Sequence, residues 1–133
     1  MATRKITFDP DAGVPVASNL TIYGGTDFSA KFNVVNVSNA GYGFTDEWTI
    51  SSQMIKSAGI GATTIPTATF TAGINTIASS ITLNLPKAIT GVITEGRYEY
   101  NVLVSTPNRS GITTVYNIIN GNILVYPVIS STP

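Results

Sequence analysis

Glu95-Gly-Arg-Tyr-Glu-Tyr-Asn-Val-Leu-Val104 is the stretch around which the chain organises. Tyr98, Tyr100, Val102 and Val104 alternate with Arg97, Glu99, Asn101 and Leu103. A period of two sends successive side chains to opposite faces of a strand. One face is wholly aromatic and β-branched, which suits a pleated, half-buried surface. The other face mixes charge with a single Leu. Gly96 ends whatever precedes it, and Pro107-Asn108-Arg109-Ser110-Gly111 has the chemistry of a turn. Ile112 to Ile119 is therefore expected to fold back as an antiparallel partner. The rest of the chain must supply strands that cover the aromatic face.

Working outward, Ser80-Ile-Thr-Leu-Asn-Leu85 reads as a strand with Ile81, Leu83 and Leu85 inward. Pro86 followed by Lys87-Ala-Ile-Thr90 allows one turn of helix or 3₁₀ structure before Gly91. Thr67-Ala-Thr-Phe-Thr71 reads as a short strand. Residues 57–66, rich in Gly, Ala and Thr and ending in Pro66, read as a loop. Trp48, Ile50, Ser52 and Met54 form the inward face of another strand, opposite Thr49, Ser51 and Gln53. Phe28, Ala30, Phe32 and Val34 alternate with Ser29, Lys31 and Asn33. Leu20-Thr-Ile-Tyr23 is a short strand broken by Gly24-Gly25. On the C-terminal side, Gly121-Asn-Ile-Leu-Val-Tyr126 is a last strand closed by Pro127. Both its faces are apolar (Ile123 and Val125, Leu124 and Tyr126), as in strands covered on both sides.

Residues 1–19 contain Asp9-Pro10-Asp11-Ala12-Gly13 and Pro15, which favour turns and extended chain. They are expected to form an extended arm that orders on a partner. Ile6 and Phe8 alternate and could add a short edge strand; the bland alternative is a frayed end. The expected organisation is an arm over 1–19 and a single β-sandwich domain over 20–133. Seven or eight short strands with turn signals between them predict an all-β, antiparallel, immunoglobulin-like sandwich, with a barrel as the alternative. Phe32, Trp48, Ile50, Leu83, Tyr98, Tyr100 and Val102 share the inward phase and are expected to be buried together.

Composition narrows the function. The chain has 133 residues, enough for one domain with a real core. Charged residues make up 11% of it, against about 25% in an ordinary soluble domain. Seven Lys and Arg balance seven Asp and Glu. A neutral chain has no electrostatic footprint for nucleic acid or an anionic membrane surface, and it lacks the charge repulsion that keeps monomers apart. With 43% apolar residues, such a chain suits burial in an assembly. No apolar run approaches the length of a transmembrane helix. Met1-Ala-Thr-Arg-Lys-Ile-Thr-Phe-Asp9 lacks the apolar centre of a signal peptide.

Catalytic chemistry is hard to build from these residues. There is no His, the commonest general base, and no Cys. Tight zinc sites draw on those two residue types, so no metal or cofactor is expected. Asp9 with Asp11, and Asp46 with Glu47, are acidic pairs that could hold calcium weakly; solvated turns are the simpler account. Arg97 and Glu99 are expected to pair across strands. Asn19-Leu-Thr, Asn36-Val-Ser and Asn108-Arg-Ser match the glycosylation pattern, which chance produces readily in a chain rich in Asn, Ser and Thr.

The order of the motifs carries a resemblance. Gly25-Thr-Asp-Phe-Ser-Ala-Lys-Phe32 is followed by Ile50-Ser-Ser-Gln-Met-Ile-Lys-Ser57, Ala68-Thr-Phe70 and Ile81-Thr-Leu-Asn-Leu85. Gly96-Arg-Tyr-Glu-Tyr-Asn-Val102 comes next, and Asn120-Gly-Asn-Ile-Leu-Val-Tyr-Pro127 closes the series. Over residues 20–129 this resembles small virion structural proteins of tailed bacteriophages, of the T4-like and cyanobacterial phage type. Those have a Gly-Asp-Phe start, a Gln-Ile-Arg-Lys-Ser-like strand, a Gly-Arg-Tyr-x-Tyr-Asp-Val strand and a Glu-Gly-x-Val-x-Val-x-Pro finish. This chain departs at Asn101, where Asp is usual, and at Met54-Ile55, where an Ile-Arg-like pair is usual. Asn117 and Asn120 stand where Arg and Glu are common, which removes a charged contact. The resemblance implies a place in a particle and no catalytic site.

The expected function is thus a non-enzymatic structural component of a phage virion, assembled in the host cytoplasm. Its expected partners are other virion proteins and further copies of itself. Capsid decoration is favoured because no stalk, coiled coil or receptor-binding domain follows the sandwich before residue 133. A tail, baseplate or fibre-attachment protein is the near alternative, and a free carbohydrate- or receptor-binding sandwich is another. The expected assembly residues are Ile6 and Phe8 on the arm, with Leu103, Val115, Leu124 and Tyr126 on the outer face of the C-terminal strands. The competing view is that these apolar residues cover a second sheet within the same subunit.

Overall fold

Residues 3–56, 67–107 and 111–127 are described by a computed structural model. They form β1 (Thr3–Thr7), β2 (Val16–Ala17), β3 (Leu20–Tyr23), β4 (Phe28–Val35) and β5 (Thr49–Lys56). Then come β6 (Ala68–Thr69), β7 (Thr71–Asn75), β8 (Ser80–Leu85), the single helical turn α1 (Lys87–Thr90), β9 (Gly96–Pro107) and β10 (Thr113–Tyr126). The expected loop at 57–66 and the centre of the expected turn, Asn108 to Ser110, lie outside the described residues.

The hairpin is present and longer than its sequence signals suggest. β9 and β10 pair antiparallel from Gly96 opposite Val125 to Pro107 opposite Thr113. β10 is one strand of 14 residues, not two runs divided at Asn120-Gly121. A bulge between Asn117 and Ile119 inserts one residue, so Ile118 and Ile119 are both buried. The extra residue resets the alternation, which hides the continuity from a strict period-two pattern.

β1-β4-β8-β7 make a four-stranded sheet. β2-β10-β9-β5-β6 make the second, in which β3 also pairs with β10. The chain changes sheets at Phe70, between β6 and β7. The single strand expected at 67–71 is therefore two, one on each sheet. The sheets face each other as a sandwich. Phe32, Val34, Ile81 and Leu83 of one meet Met54, Tyr98, Tyr100, Val102 and Ile123 of the other, all buried. Of the expected core, Phe32, Leu83, Tyr98, Tyr100 and Val102 are buried outright, while Trp48 and Ile50 pack half-buried at its rim. Trp48 joins an aromatic cluster there, with ring centroids 5.3 Å from Phe44, 5.8 Å from Tyr42 and 6.2 Å from Phe8.

The N-terminal segment corrects the expected arm. β1 pairs with β4 from Thr3 opposite Lys31 to Thr7 opposite Val35, and the Phe8 N–H donates to the Val35 carbonyl at 2.9 Å. Ile6 and Phe8 are 3% and 5% exposed and belong to the core. Two large apolar side chains in strand phase gain more from burial than from display, so neither is available to a partner. β2 and β3 then lie along β10. All three of these pairings are parallel, so the sandwich is not antiparallel throughout. Parallel neighbours cannot be joined by a tight turn; the chain reaches β4 from β1 only after crossing the other sheet. β10 decides between the two readings of its apolar outer face. Its outward residues Leu124 and Tyr126 are 38% and 43% exposed, so no second sheet of the described residues covers them.

Burial of this kind has a measurable consequence. Phe8→Ala is expected to cost about 3–5 kcal/mol, as for other large core aromatics. Removing residues 3–8 should lower the melting temperature sharply in thermal unfolding followed by circular dichroism. An unchanged melting temperature would mean that β1 is a frayed end.

Candidate functional site

The uncovered face of the six-stranded sheet is built row by row from strand register. Gln53 of β5, Asn101 of β9 and Asn120 of β10 lie side by side. One row further along are Ile55, Glu99 and Asn122, and on the other side Ser51, Leu103 and Asn117. Inward neighbours of these residues fill the core, so strand alternation turns every one of them to the outside. A groove of about 520 Å³ runs over the first two rows and reaches Asn117 of the third, lined by Gln53, Ile55, Glu99, Asn101, Asn117, Asn120 and Asn122.

The floor of the groove rests on a close crossing. Between β2 and β3 the chain passes over Gly121, where an added Cβ would stand 2.2 Å from the Ser18 carbonyl oxygen. The Ser18 N–H donates to the Asn120 carbonyl at 2.8 Å. Tyr100 Oη donates to the Ser18 carbonyl at 2.6 Å, and the Asn122 N–H donates to Asn19 Oδ1 at 3.0 Å. Arg4 Nη2 adds a bond to the Asn19 carbonyl at 3.2 Å. Burial pushes the Tyr100 phenol up to about 12. Tyr98, also buried, donates to the Thr94 carbonyl, and its phenol is raised for the same reason.

The expected assembly residues on this face do not form one patch. Val115 lies opposite Ser105 at one end, 59% exposed. Leu103 is half-buried in a polar row. Leu124 and Tyr126 lie at the other end, against Thr21 and Tyr23 of β3. Eleven positions along one strand separate Val115 from Tyr126, roughly 37 Å at about 3.4 Å per residue, and the amides lie between. What does come together is a pair that sequence reasoning missed. Tyr23, 60% exposed, stacks on Tyr126 with ring centroids 5.2 Å apart and planes 10° from parallel. Nothing in the sequence announces this, because the parallel pairing of β3 with β10 spans most of the chain. The amides did leave a signal. Asn is disfavoured in strands, yet four outward positions of β9 and β10 carry it.

Other candidates resolve into structure. Asp9 Oδ1 accepts from the Asp11 N–H at 3.0 Å, closing a turn. Asp46 and Glu47 are exposed. Among the described residues no group of three or more acidic side chains could hold a metal ion. Arg97 lies opposite Leu124, and Glu99 between Ile55 and Asn122, so register gives them no opposite charge to pair with. Asn19 is held at the crossing, and Asn36 Oδ1 accepts from the Ser38 and Ala40 N–H groups at 2.9 and 3.1 Å. Asn108 lies outside the described residues. No helix among them is long and apolar enough to cross a membrane.

No family model matches the chain, and no curated protein matches it. Among solved structures it is similar to an internalin-like protein of Listeria monocytogenes, at 15% identity and a TM-score of 0.42. That match covers 92% of this chain and 30% of the other.

Two outcomes test the crossing. Gly121→Ala forces Ser18 and the β10 backbone apart and is expected to cost about 1–3 kcal/mol, as overpacking does, read by denaturant unfolding. The alkaline limb of stability should depend on Tyr100. Its proton is held to about 12 in the folded chain, above the ordinary phenol value of 10.0. Between those values the unfolded state has lost a proton that the folded state keeps, so stability falls as pH rises. Below the lower value the contribution is fully present. Tyr100→Phe should flatten this limb while lowering stability at neutral pH, because the Ser18 carbonyl loses its partner.

Proposed function

We propose that this chain is a non-enzymatic structural component of a tailed-phage virion, an immunoglobulin-like sandwich bound to the capsid surface. The observation that carries the reading is the exposed Tyr23–Tyr126 stack beside Leu124, at one end of an otherwise polar face. Aromatic side chains bring large contact area, and they are enriched at the centres of protein interfaces. The order of the sequence motifs, which resembles that of small phage virion proteins, supplies the partner: subunits of the same particle, and neighbouring copies within it.

Three features support the immunoglobulin-like form. The order β1-β4-β8-β7 against β10-β9-β5 corresponds to strands A, B, E and D against G, F and C. A short helical turn separates β8 from β9, at the corner between E and F. Near the start of β9, the Tyr98 hydroxyl bonds back to the Thr94 carbonyl, the arrangement of a tyrosine corner. The absence of His and Cys from the sequence supports a binding role over a catalytic one.

Tyr126→Asp and Tyr23→Asp test the anchor. Each change removes the stacked pair and places Asp in a strand, so a loss of about 1–2 kcal/mol is expected, small enough to leave the domain folded. Incorporation into purified particles should be lost. Full incorporation of either variant would place the assembly surface elsewhere. Imaging particles that carry a label on this chain is expected to show it over the capsid; label confined to the tail would overturn the capsid assignment.

A further inference from the structure

We propose that the groove between the two ends of the six-stranded sheet is a binding site for a neutral glycan. Four of its side chains, Asn101, Asn117, Asn120 and Asn122, have no hydrogen-bond partner among the described residues. They are exposed or half-buried, and none is an orphaned buried group. These amides are tied to no other part of the fold, yet they occupy strand positions where Asn is unfavourable. Water satisfies them in the free chain, and a ligand on the outer face can take over those hydrogen bonds without breaking any within the protein.

The chemistry of the lining selects the ligand. Each amide offers two donors and an acceptor with two lone pairs. That set matches adjacent hydroxyls, which donate and accept from the same carbon frame. Gln53, Asn101 and Asn120 stand in one row across three strands, flanked by Asn122 and Asn117 in the rows on either side. Those rows recur at about 7 Å along the strands, so the three together accommodate a short oligosaccharide. Ile55, half-buried in the lining, supplies the apolar contact that the C–H face of a sugar ring needs. Among the described residues of the lining, Glu99 alone is charged. Arg97 lies one row beyond it on the same face and only balances the Glu99 carboxylate, so no net positive charge draws a phosphate or sulfate, and nucleic acids and acidic glycans are disfavoured. A second copy of the chain is disfavoured by the same surface, because interface centres are apolar and aromatic, with polar groups at the rim. The groove's volume lies within the range of about 300–1,000 Å³ typical of ligand sites.

The groove approaches the proposed anchor without including it. Asn122 is four positions from Tyr126 on β10, roughly 14 Å at the rise of a strand, and Leu124, one row beyond Asn122, is not in the lining. A subunit held by its Tyr23–Tyr126 end would thus leave the row of Asn101 and Asn120 open.

The test is an amide-resolved NMR titration of the full chain with maltohexaose, cellohexaose, mannohexaose and chitohexaose, each taken to millimolar concentration. A sulfated heparin hexasaccharide serves as the acidic comparison. At least one neutral saccharide is expected to shift the side-chain NH₂ signals of Gln53, Asn101, Asn120 and Asn122. Asn101→Ala and Asn120→Ala should each weaken that binding about tenfold, the worth of one good hydrogen bond, with unchanged melting temperatures. The double variant should abolish it. Silence of these signals across the neutral panel overturns the proposal. So does binding undiminished in the double variant, a preference for the sulfated probe, or shifts that grow with protein concentration alone, which would assign the face to self-association.

Discussion

The structure depends on the crossing of Ser18 and Asn19 over Gly121. There the N-terminal chain, having closed the edge of one sheet as β1, is fixed onto the other as β2 and β3. The crossing exists because β10 presents no Cβ at that point and Tyr100 supplies a buried donor from below. A carbonyl that leaves water without a partner would cost about 1–3 kcal/mol; the Tyr100 hydroxyl removes that penalty and spends its own polarity in the process. The same contact explains why residues 3–23 are not a loose terminus. A chain pinned at its middle closes shorter loops on either side, so Ile6 and Phe8 on one side and Leu20 and Ile22 on the other enter the core at a reduced loop-closure cost.

Pinning the N-terminal segment also divides the outer surface. β3 aligns Tyr23 with Tyr126 and Thr21 with Leu124, which gathers the exposed apolar area at one end of the six-stranded sheet. The centre of that sheet is left to amides from β5, β9 and β10. An interface spread evenly along β10 would have put polar groups at its middle and apolar groups at its ends, the reverse of how stable interfaces are organised. The two proposed roles divide along the same line, an apolar anchor at the tyrosine end and a hydrogen-bonding groove beyond it. Charge contributes little to either, since the lining holds Glu99 alone and Arg97 is one row away.

Strand phase is what the sequence determined. Tyr98, Tyr100, Val102 and Val104 point inward because alternation is local and each neighbour's direction follows from the peptide geometry itself. The same holds for Phe32, Leu83 and Met54, and for the outward place of Asn101, Leu103 and Val115. The one helical turn after Pro86 was legible for the same reason, as it needs only Pro and Gly at its two ends. Where phase broke, so did legibility. The bulge at Asn117–Ile119 shifts the register of β10 by one residue, and a strict alternation then reads one long strand as two.

Tertiary structure alone decided which strands became neighbours, and with that what each face is for. Parallel pairing of β1 with β4 and of β3 with β10 joins residues far apart in the chain. No short-range pattern records such a partner, because its free energy comes from burial against side chains supplied by the whole sandwich. Ile6 and Phe8 look the same in sequence whether they decorate an arm or fill a core, and only a vacant edge beside β4 settles the choice. Tyr23 and Tyr126 illustrate the converse. Each reads as an ordinary strand end, and they become an exposed stacked pair because the crossing at Gly121 sets β3 in register with β10.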